Sequence, residues 1–285
     1  MSDISIVVIG YDKYKSIWED FYNKYISINS NSQIPIFLVN STENFDKPNI
    51  IVMNAGIDSE WSDKVRYAIS KIESKYILLL LEDFFITNTI NKVQLDDLTE
   101  LMDEKNLKFI KIASINPYIK LQRMKKFDKE KKHLKIMSPK RGYSLGLQPT
   151  IWEKQFLSDV IGASSYNAWI FEMYYSSIDI KEKSQLMSLG LYDTRNILGI
   201  KHILVQGKIL RPSFKYFIKI NDPLKIDFDV MKRNESFAYG LKSFFVAITP
   251  YFLRPLVKFL GSFVGFKYTS SKYYNNIDEF NRKKQ

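Results

Sequence analysis

Residues 76–85 read Tyr-Ile-Leu-Leu-Leu-Leu-Glu-Asp-Phe-Phe, the most hydrophobic run in the chain, cut short by two carboxylates. An apolar run without alternation is what a strand shows when both of its faces are buried. Three further strands precede it: 4–9 (ISIVVI, ending at Gly10), 35–40 (PIFLVN) and the shorter 49–53 (NIIVM). Between them lie two amphipathic stretches. Residues 14–26 place Ile17, Phe21 and Tyr25 at fourfold spacing, and 62–74 place Val65, Ala68, Ile69 and Ile72 on one face, with Ser62 as the expected cap. The order strand, helix, strand, strand, helix, strand predicts an α/β fold with a mostly parallel sheet covered on both faces. Ligands of such sheets bind outside the carboxyl ends of the strands. Tyr11-Asp12, residues 40–43 and Glu82-Asp83 are therefore the first places to look.

Downstream, 94–105 reads as an amphipathic helix and 109–113 (FIKIA) as another strand. Residues 120–141 are dense in lysine and arginine and are expected to form an exposed loop or hairpin. Order returns at 142–152, a helix is expected over 169–177, and an aromatic, basic section begins near 236. The length of 285 residues suits one core domain with an appendage. We expect a domain over 1–235, with halves near 1–115 and 116–235, and a helical tail over 236–285.

Composition narrows the function. Hydrophobic residues make up 45% and aromatics 15%, enough for a sizeable core. There is no cysteine, which excludes disulfides and thiolate metal sites and fits a reducing compartment. No secretory leader or membrane-spanning run is expected, the longest uninterrupted apolar candidate being 243–253. The formal charge of +11 calls for an acidic partner: nucleic acid, anionic lipid or a phosphorylated small molecule. Walker, Gly-x-Gly-x-x-Gly, Gly-x-Ser-x-Gly and His-Glu-x-x-His motifs are all absent.

Carboxylates directly after a buried strand can hold Mg²⁺ or Mn²⁺ and bridge it to a diphosphate. They can equally just end the strand and cap a turn. The basic helix followed by YILLLLEDFF resembles the nucleotide-sugar-binding half of GT-A glycosyltransferases, family-2-like bacterial ones in particular, with a Rossmann-type sandwich. The resemblance implies that Asp83, with Glu82, takes the metal and diphosphate position, although Phe84 and Phe85 stand where a second aspartate often would. It also implies that Tyr11, Asp12 and Asn40 lie near nucleobase and ribose, and that Trp61, Lys64 and Arg66 approach base and phosphates. Plain packing of Trp61 and a solvated helix face for the two cations are the alternatives.

The stretch GYSLGLQPTIWEKQFL, followed by NAWIFE, resembles the acceptor side of the same family. It implies that Glu172 is the base that takes the acceptor hydroxyl's proton in an inverting reaction, with Trp152 or Trp169 stacking on sugar. The alternative is a helix with a buried aromatic face and a solvated glutamate. His202, in GIKHILVQGK, would by the same likeness return to the cation or diphosphate. Otherwise it is a packed or surface histidine.

The section 237–268 mixes large apolar residues with Lys242, Arg254, Lys258 and Lys267 and contains no acid. This composition suits an interfacial anchor on anionic lipid, or else helices packed on the main domain or a second subunit. The expected partners are a nucleotide-sugar donor (a UDP-sugar first), a glycan or lipid-linked acceptor and an anionic membrane surface at the cytoplasmic face. Nucleic acid is not expected. A non-catalytic protein peripheral to the membrane is the competing reading.

Overall fold

The computed structural model describes residues 3–116, 118–119, 124–140, 145–249 and 253. In chain order the elements are β1 (Ile4–Ile9), α1 (Lys15–Asn29), β2 (Ile36–Asn40), β3 (Ile51–Asn54), α2 (Trp61–Lys71), β4 (Tyr76–Leu81) and β5 (Phe84–Phe85). Then come α3 (Lys92–Glu104), β6 (Phe109–Lys111), β7 (Leu134–Ile136), β8 (Thr150–Glu153), α4 (Lys154–Ile161), α5 (Ala168–Ser177) and α6 (Ile180–Ser188). The last are β9 (Gly190–Asp193), β10 (Lys201–His202), β11 (Leu204–Val205), β12 (Lys208–Ile209), α7 (Arg211–Lys219) and α8 (Arg233–Ile248).

Eight strands form one mixed sheet in the order β3-β2-β1-β4-β8-β6-β9-β7. The first four are parallel, as the apolar runs predict, and β6 with β9 is parallel too. β8 runs antiparallel between β4 and β6. The pleat sorts β1 and β4 into two cores. Ile4, Ile6 and Val8, with Tyr76, Leu78 and Leu80, face a core shared with α1 and α3. Val7 and Ile9, with Ile77 and Leu79, face a core shared with α2, α4 and α5. Each fully buried leucine or isoleucine contributes roughly 1.5–3 kcal/mol, which is why β4 can afford no polar residue before Glu82.

Several local expectations change. Glu60, not Ser62, caps α2: its side chain and that of Asp63 form a reciprocal capping box. Ser62 is fully buried, and its hydroxyl donates to the Ser164 carbonyl and accepts from the Tyr166 N–H, tying α2 to the loop before α5. The basic stretch is a hairpin within 124–140, whose Phe127 N–H donates to Leu134 O and Ile136 N–H to Lys125 O. Its second arm, β7, joins the main sheet beside β9. Trp152 cannot stack on a sugar. It is 2% exposed and packs between the rings of Phe109 and Phe156, because β8 has a neighbour on each edge and α4 covers this face.

The boundary expected at 235–236 falls inside α8. This helix lies on the acceptor half: Asn116 Nδ2 donates to Ser243 O at 3.1 Å, and the Tyr118 and Phe244 rings meet edge to face. Apart from Thr249 and Leu253, the rest of the expected tail, including Arg254, Lys258 and Lys267, lies outside the described residues. Among the described residues no helix is long and apolar enough to cross a membrane.

Trp152→Ala should lower unfolding free energy by about 3–5 kcal/mol in urea titration. The same change at Trp169, 55% exposed, should stay within about 0.5 kcal/mol.

Candidate active site

The parallel register of β1 and β4 sets Ile9 beside Leu81. The residues that follow each strand therefore emerge together at the carboxyl edge. The Tyr11 N–H donates to Glu82 Oε1 at 3.3 Å. Asp12 spans the gap to the loop after β2, accepting from the Ser41 and Thr42 N–H groups at 2.8 and 2.9 Å. Partial burial raises the Asp12 carboxyl, but these two N–H bonds and the Lys64 ammonium outweigh it, so its pKa lies below the ordinary value. Asn40 is fully buried, with Nδ2 donating to Glu43 O at 2.9 Å. Lys64 is buried as well, and Nζ donates to Gly10 O at 2.9 Å and lies 3.8 Å from Asp12. Its desolvation pulls its pKa down, partly offset by Asp12 and Glu82.

Tyr11, Asp12, Asn40, Lys64, Glu82 and Asp83 thus share one edge. The other two donor-side expectations, Trp61 and Arg66, flank Lys64 on α2 and are engaged in packing. Trp61 packs against Phe171 and Tyr166. Arg66 donates to the carbonyls of Gly162 and Ser164 and pairs with Asp63, which engages its guanidinium in joining α2 to the end of α4.

Glu82 is buried, and desolvation next to the Asp83 charge pushes its pKa up to about 8 against the Tyr11 N–H and Lys64. Asp83 begins the turn into β5, which pairs antiparallel with β10, His202 opposite Phe84. The Ile203 N–H donates to Asp83 O at 2.8 Å. This two-stranded clip carries His202 Nε2 to 3.1 Å from Asp83 Oδ2, with the imidazole tilted against Phe84. Asp83 Oδ1 and His202 Nδ1 are both buried with no hydrogen-bond partner. Leaving such atoms unsatisfied costs about 1–3 kcal/mol each, so a ligand that satisfied them would be favoured there. A carboxylate oxygen and an imidazole nitrogen fit Mn²⁺ or Mg²⁺. Among the described residues no group of three or more acidic or histidine side chains gathers, and phosphate oxygens and water would have to complete such a site.

Glu172 projects from α5, whose first turn is capped by Asn167. It is buried and accepts from the Leu147 N–H at 2.9 Å. Burial raises its pKa, while the Leu147 N–H, Lys111 and then His202 oppose the rise. Glu172, Lys111, His202 and Asp83 therefore lie in one electrostatic environment. Trp169, three residues before Glu172 on the same helix face, is exposed. Lys111 ends β6, and burial lowers its pKa to about 8 against the pull of Glu172. Sequence reasoning missed Lys111, although a lone cation inside the apolar FIKIA was a visible signal. It also missed Tyr239 of α8, whose pKa is raised by burial and, more weakly, by the Asp83 charge. Nothing local marks that tyrosine.

No protein-family model matches the sequence, and no curated protein does. Among solved structures the chain is similar to S. aureus TarS, at 15% identity and a TM-score of 0.41 over 85% of this chain and 43% of that one. It is also similar to glucosyl-3-phosphoglycerate synthase from Mycobacterium tuberculosis, in complex with Mn²⁺, UDP-glucose and glycerol 3-phosphate. Identity there is 10% and the TM-score 0.40, over 66% and 68% of the two chains. A third is mannosyltransferase PcManGT from Pyrobaculum calidifontis with GDP-mannose and Mn²⁺, at 9% identity and a TM-score of 0.43 over 98% and 79%. The chain spans less than half the length of TarS. The solved structures it is similar to are GT-A-type glycosyltransferases.

Asp12→Ala removes the acceptor of two backbone N–H groups and should lower stability by about 1–3 kcal/mol at neutral pH. Because the folded pKa is depressed, that contribution is present above the ordinary aspartate value of 3.8 and lost as pH falls through the folded pKa. Wild type and variant should differ in melting temperature at pH 7, and the difference should shrink only as pH falls below the ordinary aspartate value and through the depressed folded one.

Proposed function

We propose that this chain is a glycosyltransferase that moves a sugar from a nucleotide-sugar donor to a glycan or lipid-linked acceptor. UDP-sugars are the first donors to test. Its setting, on this reading, is surface polysaccharide synthesis at the cytoplasmic face of a membrane. The observation that supports the proposal is the Asp83–His202 pair, 3.1 Å apart where β4 ends, together with a buried Glu172 whose carboxyl feels the His202 side chain.

On this reading Tyr11, exposed at the end of β1, offers a ring face to the nucleobase. Asp12 and Asn40 hold the two loops beside it. Asp83 and His202 would hold a divalent cation, which when bound neutralises the diphosphate leaving group. Glu172 takes the proton from the attacking acceptor hydroxyl. The acceptor oxygen bonds to the anomeric carbon as that carbon's bond to the diphosphate oxygen breaks, and the bonding pair leaves with the nucleoside diphosphate. A carboxylate with a raised pKa is a better base at neutral pH than an ordinary one. The Leu147 N–H and then Lys111 oppose that rise. Trp169 presents an exposed indole for the acceptor sugar. One base and one displacement give inversion at the anomeric centre.

The test is acceptor-dependent release of nucleoside diphosphate, with the product's anomeric configuration read by NMR. Glu172→Gln should lower kcat by about 10²- to 10⁴-fold with donor KM nearly unchanged. An unaltered kcat, or a retained configuration, would refute the assignment. Lys111→Met removes a positive charge that favours the Glu172 carboxylate, so the acid limb of the kcat profile should move to higher pH. A limb that stays put would exclude Lys111 from this role.

A further inference from the structure

A cleft between the beginnings of α7 and α8 has no part in the chemistry above. It measures about 520 Å³ and is lined by Arg211, Lys215, Arg233, Ser236 and Phe237. Arg211 and Lys215 stand one turn apart on α7, and Arg233 opens α8. None of the three forms an ion pair with a described residue, whereas Lys208 nearby is paired with Glu235 at 2.6 Å. No acid lines the cleft. Three uncompensated cations around one hollow repel each other until an anion lies among them.

The cleft opens beside an apolar stripe. Phe237, Leu241, Phe245 and Ile248 are each at least 36% exposed, Phe237 most of all at 72%. At about 100° per residue their spacing keeps them within an arc of roughly 80° on α8. Phe237 belongs to both stripe and cleft. Ile218 and Ile220, at the end of α7, are exposed too. Tyr239 lies about 200° around α8 from Phe237, on the side that feels the Asp83 charge. One helix therefore turns an apolar stripe outward while its other side packs on the domain through Ser243.

We propose that the α7–α8 cleft and the α8 stripe form a docking surface for an anionic membrane. Arg211, Lys215 and Arg233 take lipid phosphate headgroups, and Phe237, Leu241, Phe245 and Ile248 enter the interface to a shallow depth. A membrane offers phosphate and hydrocarbon at the separation of headgroup and acyl chain, which matches a basic hollow rimmed by apolar side chains. A free phosphate would leave the stripe in water. A second copy placed symmetrically would bring one basic cleft near another. That the docked surface presents lipid-linked acceptor to the site rests on the transferase reading. The docking itself does not.

The test is flotation of the full chain with phosphatidylcholine vesicles with and without phosphatidylglycerol. Binding should require phosphatidylglycerol and weaken with salt. The triple variant Arg211→Ala, Lys215→Ala, Arg233→Ala should lower partitioning on the order of 100-fold, and Phe237→Ser on the order of tenfold. Both should keep the wild-type melting temperature and the wild-type stabilisation by nucleoside diphosphate, so a failed donor site would show separately. The proposal is overturned by equal binding to neutral vesicles, or by a triple variant that still floats. It is likewise overturned if inorganic phosphate or pyrophosphate stabilises the protein through these cations while vesicles do not bind. A concentration-dependent dimer abolished by Phe237→Ser would also overturn it.

Discussion

The structure depends on an abrupt change of medium at the end of β4. Up to Leu80 the strand is buried on both faces, with β1 on one edge and β8 on the other. At Glu82 and Asp83 the chain leaves the sheet with two carboxylates in succession. Water is scarce there, so each charge must be matched by a fixed dipole, an ammonium or a ligand. At Glu82 burial favours the neutral acid, opposed in part by the Tyr11 N–H and Lys64, and His202 serves one oxygen of Asp83. The other oxygen of Asp83 has no protein partner. A ligand that satisfied that oxygen would remove the cost of burying it unpaired.

The two halves of the sheet divide the work by direction. In the first half all strands run parallel, so their carboxyl ends, and the polar residues after them, share one rim. In the second half the antiparallel β8 leaves β6 and β9 to run alongside, and Lys111 ends β6 on the same side as Glu172. Glu172 and His202 then feel each other's charge although they are distant in sequence.

Much of this was legible in the sequence, and the exceptions have physical causes. The apolar runs at 4–9 and 76–81 announce buried parallel strands because no amphipathic alternative fits them. The placement of Asp83 follows from the strand's end. The meeting of Asp83 with His202 was implied only by likeness, since it depends on two strands of two residues each, too short to leave a periodic signal. Trp152 and Trp169 are the same residue type in similar aromatic surroundings. Only the neighbours on both edges of β8 bury the first, and only the start of α5 leaves the second in the open. Arg66 reads as a surface cation because the carbonyls it binds, at Gly162 and Ser164, come from a distant loop. Lys111 could have been found, because a buried strand rarely carries a cation without a partner of opposite charge.

The central claim is that the carboxyl edge around Asp83 and His202 binds a nucleoside diphosphate together with a divalent cation. Thermal stabilisation by a panel of nucleoside diphosphates, with and without Mn²⁺, tests it on the wild type and on Asp83→Ala. At one hundred times the dissociation constant the account predicts about 2.7 kcal/mol of stabilisation, dependent on Mn²⁺, selective for one nucleotide and lost in the variant. Stabilisation by none of the nucleotides, or stabilisation that survives in Asp83→Ala, would contradict it.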